Sequence, residues 1–480
     1  MIYQSTRSAQ LQANSCAAVL QGLAPDGGLF VSTLPEFPWQ ELMGKDSLTM
    51  ATRILSFLLP EIKDMDTLVE KAYKNRFETE DLTPLVPVGH RYVLELFRGP
   101  TSAFKDVALS MLPQLITQAK KQEKMEEEIL ILTATSGDTG KAAMAGFQDV
   151  PGTKIIVFYP HGGVSEVQKA QMVTQEGENV CVCAVRGNFD DTQTGVKEIF
   201  SVGVPEDCGV RLSSANSINI GRLAPQVMYY FRAYSDLLEQ GRIAMGDKVD
   251  FVVPTGNFGN ILAGYLAKRM GLPVGTLICA SNPNDVLTDF LRTGVYDRRR
   301  PFHKTLSPSM DILISSNLER LLYLLCEDPA EVAGYMKELK EEGCYRVSES
   351  ILSKLYEEFA CGSCDDEQTK LTIGRVWQEQ GYLMDTHTAV AWHVAENFRS
   401  SNPMVVLSTA SPYKFPAAVL SALGENVGED EFAVMDRLQE LTGVPIPKGL
   451  QGLREKPVRH TTVIDWEEMQ AFVQGKVKAW

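Results

Sequence analysis

From about residue 91 onward, short apolar runs alternate with amphipathic stretches, and few folds accept that order. Tyr92–Phe97 (YVLELF) reads as a strand, and residues 107–122 carry Leu109, Leu112, Leu115, Ile116 and Ala119 at helical spacing. Ile129–Thr133 (ILILT) is apolar at every position but its last, as in a parallel strand buried on both faces. The pattern continues with a helix at 141–147, a strand at 154–159, a helix at 165–175 and a strand at 180–185. It resumes with a strand at 250–254, a helix at 261–270, a strand at 274–280, a strand at 404–407 and a helix at 415–423. Such alternation predicts an α/β protein with mainly parallel sheets. At 480 residues the chain has room for two or three domains. The expected division is an N-terminal domain at 1–90, an α/β domain at 91–245 and a larger α/β domain at 246–480. Residues 297–370 read as a helical, acidic covering layer of the last.

Charge narrows the function classes. Lys and Arg number 46 against 61 Asp and Glu, a net −15 that disfavours nucleic acid and anionic membrane as partners. A phosphorylated small molecule remains compatible, held by a local site of amides, hydroxyls and selected cations. Nine scattered cysteines suit reduced thiols rather than a disulfide framework. The close pair Cys361 and Cys364 has no second pair or histidines after it, so no zinc site is expected, only a helix-end or loop pair. The first residues lack the basic start and apolar run of a signal peptide, and no stretch of about 18 apolar residues suggests a membrane span. A cytoplasmic location is the expectation.

Four segments each follow a strand-like run and hold small or hydroxylated residues where a helix should start. That is where open α/β sheets bind ligands, because helix N-termini present free amides to anions. In Glu95–Asp106, Lys105 sits among aromatic and small residues, placed for the desolvation that makes an amine a nucleophile or base. Alone, it reads more readily as a solvated lysine at a helix start, because buried lysines are rare. Thr133–Lys141 superficially suggests a nucleotide P-loop, but only two residues separate Gly137 from Gly140 and Ala142 follows the lysine. A turn able to hold a carboxylate remains, or a plain strand-to-helix turn capped by Asp138 or Thr139. Val253–Asn260 has two glycines in a turn that can approach a phosphate, without the spacing of a dinucleotide motif; in isolation an ordinary tight turn is the better reading. Leu407–Phe415 offers hydroxyls to a neutral ring nitrogen, or a helix cap before Pro412.

In this order and spacing the segments resemble the fold-type II (tryptophan synthase β-like) pyridoxal 5'-phosphate enzymes, and among them the threonine synthase family. Gly99–Asp106 (GPTSAFKD) resembles that family's lysine segment, Thr135–Gly140 (TSGDTG) its substrate-carboxylate loop and Pro254–Asn260 (PTGNFGN) its cofactor-phosphate loop. Similarity extends to Tyr3–Arg7, Gly22–Phe30, Gly187–Asp191, Asn216–Arg222, Ser309–Asp311 and Asp385–Ala389, essentially the whole chain. The resemblance implies that Lys105 carries the cofactor and moves protons. It implies that Gly256, Asn257, Phe258, Gly259 and Asn260 wrap the cofactor phosphate, and that Thr409, with Ser408 as runner-up, meets the ring nitrogen. Phe104 would pack by the ring and Asp138 lie near its phenolic oxygen, where an acid raises a question of protonation. Ser136, Gly137 and Thr139 would hold the substrate carboxylate; Asn216, Ser217 and Arg222 would hold the substrate phosphate.

Two positions depart from the family, which often has His where this chain has Arg98 and Ser411. Arg98 adds positive charge that a phosphate would attract. The implied activity is conversion of O-phospho-L-homoserine and water to L-threonine and phosphate, by a monomer or homodimer with no metal. Alternatives are a phospho-lyase yielding 2-oxobutyrate, ammonia and phosphate, a serine/threonine dehydratase, and a non-catalytic protein on the same scaffold.

Overall fold

The computed structural model describes residues 1–135, 137–205 and 208–480, with Phe189 and Asp190 described by backbone alone. The expected parallel sheets are present, and their membership crosses the divisions at residues 90 and 245. One sheet has five parallel strands in the order Val463–Asp465, Val180–Arg186, Thr153–Pro160, Glu128–Ala134, Val210–Ser213. The other has six, in the order Phe359–Ser363, Val274–Ser281, Val249–Pro254, Met404–Ser408, Arg91–Glu95, Leu85–Val88. All its pairings are parallel except the last. The strand at 91–95 thus joins the second sheet, and a C-terminal strand completes the first.

Side-chain alternation explains the uninterrupted apolar runs. Ile129, Ile131, Ile155 and Val157 pack on one face of the five-stranded sheet, while Leu130, Leu132, Ile156 and Phe158 pack on the other. The six-stranded sheet divides likewise, with Phe251, Val253, Leu277 and Leu407 on one side and Val252, Ile278 and Val406 on the other. Both faces of these strands are covered, which favours apolar residues at consecutive positions.

The N-terminal segment forms a small antiparallel sheet of Tyr3–Ser5, Ser8–Ala13 and Phe30–Val31, with helices Ser15–Gln21, Ser47–Leu58 and Met65–Tyr73. Its apolar side chains join the core that contains one face of each large sheet. The 297–370 region is helical over Leu318–Cys326, Pro329–Glu341, Glu349–Glu358 and the start of Asp366–Gln380, but it also supplies the edge strand Phe359–Ser363. Cys361 lies in that strand rather than at a helix end or in a loop, while Cys364 is in the loop just beyond it, and both are free thiols.

Two helices that start at the site are fixed against each other, Lys105–Gln122 and Asp138–Phe147. Pro113 has no amide hydrogen, which leaves the Leu109 carbonyl without a helical donor. Gly146 packs on that carbonyl so closely that a Cβ there would come within 1.9 Å of it. Any side chain at 146 would push the two helices apart.

Candidate active site

Lys105 is the first residue of its helix and is buried. The preceding loop is stitched to the end of strand Met404–Ser408. Phe104 donates its amide to the Thr409 carbonyl at 2.8 Å and Ser411 donates to the Ser102 carbonyl at 3.0 Å. Inside the loop, Asp106 accepts from the Thr101 amide at 2.8 Å and hydroxyl at 2.6 Å. Burial, opposed by Asp138 but reinforced by Arg222 and Lys414, brings the Lys105 amine down to about 8. The amine lies 3.9 Å from Asp138 Oδ2, 3.4 Å from Ser309 Oγ and 5.7 Å from the Phe104 ring centroid.

Asp138 opens the helix after strand Glu128–Ala134, and its charge state follows from a partner the sequence reading did not assign. Lys414, completely buried, places Nζ 2.7 Å from Asp138 Oδ1 and donates to the Thr101 carbonyl at 3.0 Å. Burial alone would raise the Asp138 pKa, but Lys414 and Lys105 overcome it and hold the carboxyl below the ordinary carboxylate range. Asp138 is therefore ionised at neutral pH. Gln168 Nε2 donates to it as well, at 3.2 Å.

The turn after strand Val249–Pro254 leads into helix Gly259–Arg269, whose first amides have no intrahelical acceptor. Phe258 adopts a left-handed φ of 62°, turning the chain sharply into the helix. A Cβ on Gly256 would lie 2.8 Å from the Ser309 carbonyl oxygen, so Ser309 stands between the turn and the lysine. Asn260 Oδ1 accepts from Tyr229 at 2.5 Å and Tyr230 at 3.2 Å, while its Nδ2 is buried with no acceptor among the described residues. A row of free amides with one orphaned buried donor suits an anionic group such as a phosphate.

The remaining predicted residues are placed as follows. Thr409 is buried at the strand end, and its hydroxyl has no hydrogen bond among the described residues. Ser408 Oγ is instead 2.9 Å from Thr388 Oγ1. The Gly137 amide donates to Thr135 Oγ1 at 3.0 Å, and Thr139 is half-buried in the first helical turn. Ser136 lies outside the described residues. Arg222 is buried in the short helix Ile220–Leu223, donates to the Ala215 carbonyl at 2.5 Å and has no carboxylate partner among the described residues. Burial lowers its pKa to about 10. Ser217 Oγ is 3.2 Å from Ser316 Oγ, whereas Asn216 and Asn257 expose their side chains.

Arg98 does not offer its charge to a phosphate. It bonds Glu95 Oε2 through Nε at 2.8 Å and Nη2 at 2.5 Å, and Glu78 at 3.4 Å. Ser411 caps the turn Pro412–Lys414, its hydroxyl accepting the Tyr413 amide at 3.3 Å. Asn317, also absent from the sequence reading, ties two loops together. Its Nδ2 donates to the Ser217 carbonyl at 3.0 Å and the Asn257 carbonyl at 3.2 Å. Lys105 and Arg222 thus share one polar centre with Asp138, Lys414 and the 256–260 turn. That centre combines a desolvated amine with an amide cradle and a separate buried guanidinium.

Three family models match the chain: Threonine synthase N terminus at residues 2–73, Pyridoxal-phosphate dependent enzyme at 80–409, and Threonine synthase, C-terminal at 388–473. Threonine synthase of Pseudomonas aeruginosa is 42% identical over 434 residues, covering 88% of this chain and 90% of the relative. Threonine synthase-like 1 of Homo sapiens is 39% identical over 431 residues, covering 85% of this chain. The match spans only 57% of that human protein's length. A crystal structure of PLP-bound threonine synthase from Brucella melitensis has a TM-score of 0.89 at 39% identity, covering 100% of this chain and 99% of that one.

Proposed function

The chain belongs to the threonine synthase family of pyridoxal-phosphate-dependent enzymes, and from that premise we propose that it converts O-phospho-L-homoserine and water to L-threonine and inorganic phosphate. Pyridoxal phosphate, when bound, supplies the electron sink that lets hydrogens beside the amino-acid nitrogen leave as protons. Lys105 carries the cofactor and moves those protons. The amides of Gly256–Asn260, with Asn260 Nδ2, hold its phosphate. Thr409 would meet the ring nitrogen through a hydroxyl, which would leave that nitrogen uncharged, while Phe104 would pack beside the ring and ionised Asp138 would face its phenolic oxygen. Gly137 and Thr139, with Ser136, hold the substrate carboxylate. Asn216, Ser217 and Arg222 hold the leaving phosphate and keep it aligned, a positioning task. The reaction is placed in the cytoplasm, where nine free thiols stay reduced.

Arg222 is the observation that carries this reading. A buried guanidinium without a carboxylate among the described residues is costly unless an anion arrives to pair with it, and the amide cradle beside Lys105 would be taken by the cofactor phosphate. Two separate anion sites around one amine suit a phosphorylated cofactor together with a phosphorylated substrate. Incubating cofactor-loaded protein with O-phospho-L-homoserine tests it. Threonine and phosphate in equal amounts support the proposal, whereas 2-oxobutyrate with ammonia and little threonine would overturn it in favour of a phospho-lyase.

Arg222→Ala is expected to retain cofactor absorbance and to lose about 10- to 150-fold in kcat/KM, the equivalent of the roughly 1.5–3 kcal/mol of a charged hydrogen bond. Loss of absorbance would instead assign Arg222 to the cofactor or the fold. Gly256→Ala forces a Cβ against the Ser309 carbonyl. Overpacking of about 1–3 kcal/mol predicts roughly 5- to 150-fold weaker cofactor retention, read by dialysis and absorbance.

A further inference from the structure

The catalytic reading leaves Ser309, Asp385 and His387 without a role, yet the fold gathers them at Lys105. Ser309 Oγ is 3.4 Å from Lys105 Nζ, a loose contact of the kind that tightens when substrate binds. The Ser309 amide donates to His387 Nε2 at 3.1 Å. On the far side of the ring, Nδ1 is 2.7 Å from Asp385 Oδ2. An amide can only donate, so Nε2 must be bare and the ring proton must sit on Nδ1, facing the carboxylate. Both His387 and Asp385 are buried, and the imidazole packs 5.0 Å from the Phe415 ring. Asp385 is held in turn as the N-cap of helix Thr386–Glu396, accepting the amides of His387 at 3.0 Å and Thr388 at 3.1 Å.

The other side of the Ser309 segment is equally fixed. Asp311 accepts from Asn282 at 2.7 Å, Thr305 at 2.7 Å and Asn284 at 3.0 Å. The Met310 amide closes back on the Ser307 carbonyl at 3.0 Å. The serine hydroxyl is therefore presented to the lysine by a rigid frame.

We propose that Ser309 is a catalytic residue whose hydroxyl accepts a hydrogen bond from Lys105 Nζ and aims the amine's lone pair at the substrate during proton transfer, with His387 and Asp385 as positioning residues. The inference rests on Lys105 being the proton carrier. The lysine takes a proton from the substrate carbon onto its lone pair and later returns it. Ser309 keeps its own proton throughout, so no further acid or base is needed. The charged groups facing Lys105 are Asp138, Arg222, Lys414 and Asp106. Ser309 differs from all four in bearing no charge, so it orients the amine without adding to the field.

The test uses the cofactor-loaded protein. Ser309→Ala is expected to lower kcat about 100-fold, the lower end for a group serving proton transfer, with KM changed by less than about twofold. Its pH profile should also move. The ammonium loses an acceptor that favours the charged form, so the Lys105 pKa falls and the acid limb of kcat shifts to lower pH. Ser309→Thr should restore most of the rate. His387→Gln keeps an acceptor near Nε2 and should retain activity, while His387→Leu should reproduce Ser309→Ala with cofactor absorbance intact. Independently of turnover, NMR of ¹⁵N-histidine-labelled protein without substrate should find His387 as the Nδ1–H tautomer at neutral pH. Unchanged kcat and an unshifted acid limb in Ser309→Ala would overturn the proposal, as would an Nε2–H ring. Wild-type protein that forms no threonine would sink the activity reading alone, because the tautomer is read without substrate.

Discussion

Lys105→Ala is expected to purify colourless with added pyridoxal phosphate and to lose threonine formation by about 10⁴-fold or more, the upper range for a group that transfers protons. The size of the effect follows from the amine's surroundings. An amine at its ordinary value of 10.5 would be almost wholly protonated at neutral pH, whereas one at about 8 is not. The shift raises the neutral fraction at pH 7 roughly 300-fold. The sign fixes a pH dependence. The neutral form is the nucleophile, so capture of cofactor by stripped protein should accelerate steeply as pH rises toward about 8 and level off above it. Lys105→Arg separates charge from nucleophilicity, since it keeps a cation in the pocket but cannot condense with an aldehyde. Absorbance of the purified variants and threonine released from O-phospho-L-homoserine are the two measurements. A coloured, active Lys105→Ala would end the case for position 105.

The interior strands of the two sheets were legible because their signal is local, whereas the edge strands, Leu85–Val88 and Val210–Ser213 among them, were not read. Ile129–Thr133 must be apolar at consecutive positions when Ile129 and Ile131 enter one core and Leu130 and Leu132 another. Sheet partners were not legible. Nothing in Arg91–Glu95 says that it pairs with Met404–Ser408, and Val463–Asp465 is too short to carry a pattern. Phe359–Ser363 (FACGS) was hidden by small residues between two acidic helices. The site divides the same way. Free amides and hydroxyls at strand ends follow from local chain direction, which is why four segments drew attention. Lys414 was missed although it stood inside one of them, read only for its hydroxyls. A lysine between Tyr413 and Phe415 just beyond a strand is as strong a sign of burial as the one that singled out Lys105. The Asp385–His387–Ser309 chain was beyond reach because its geometry depends on three separate elements converging. Segments resembling the family marked all three residues without indicating what joins them.

Lys414→Met should be the most damaging substitution for the fold. It leaves the buried Asp138 carboxylate with the Gln168 amide and the more distant Lys105 ammonium, and removing one member of a buried ion pair costs about 3–5 kcal/mol. The pH dependence is diagnostic. In the natural chain Asp138 is held below its ordinary range, so its contribution to stability is present at neutral pH and disappears only as acid protonates the folded carboxyl. Without Lys414 the burial penalty prevails and the folded pKa rises above the unfolded one. The variant then binds a proton more tightly when folded, and its stability falls as pH climbs past about 4, the range of an unfolded aspartate. Its deficit relative to the natural chain, measured by thermal unfolding, should therefore widen from acidic to neutral pH. Adding Asp138→Asn removes the stranded charge and should recover much of the loss. A single variant with a pH-independent deficit, or a double variant no more stable than the single, would mean that Lys414 stabilises the fold through packing and its bond to the Thr101 carbonyl rather than through Asp138.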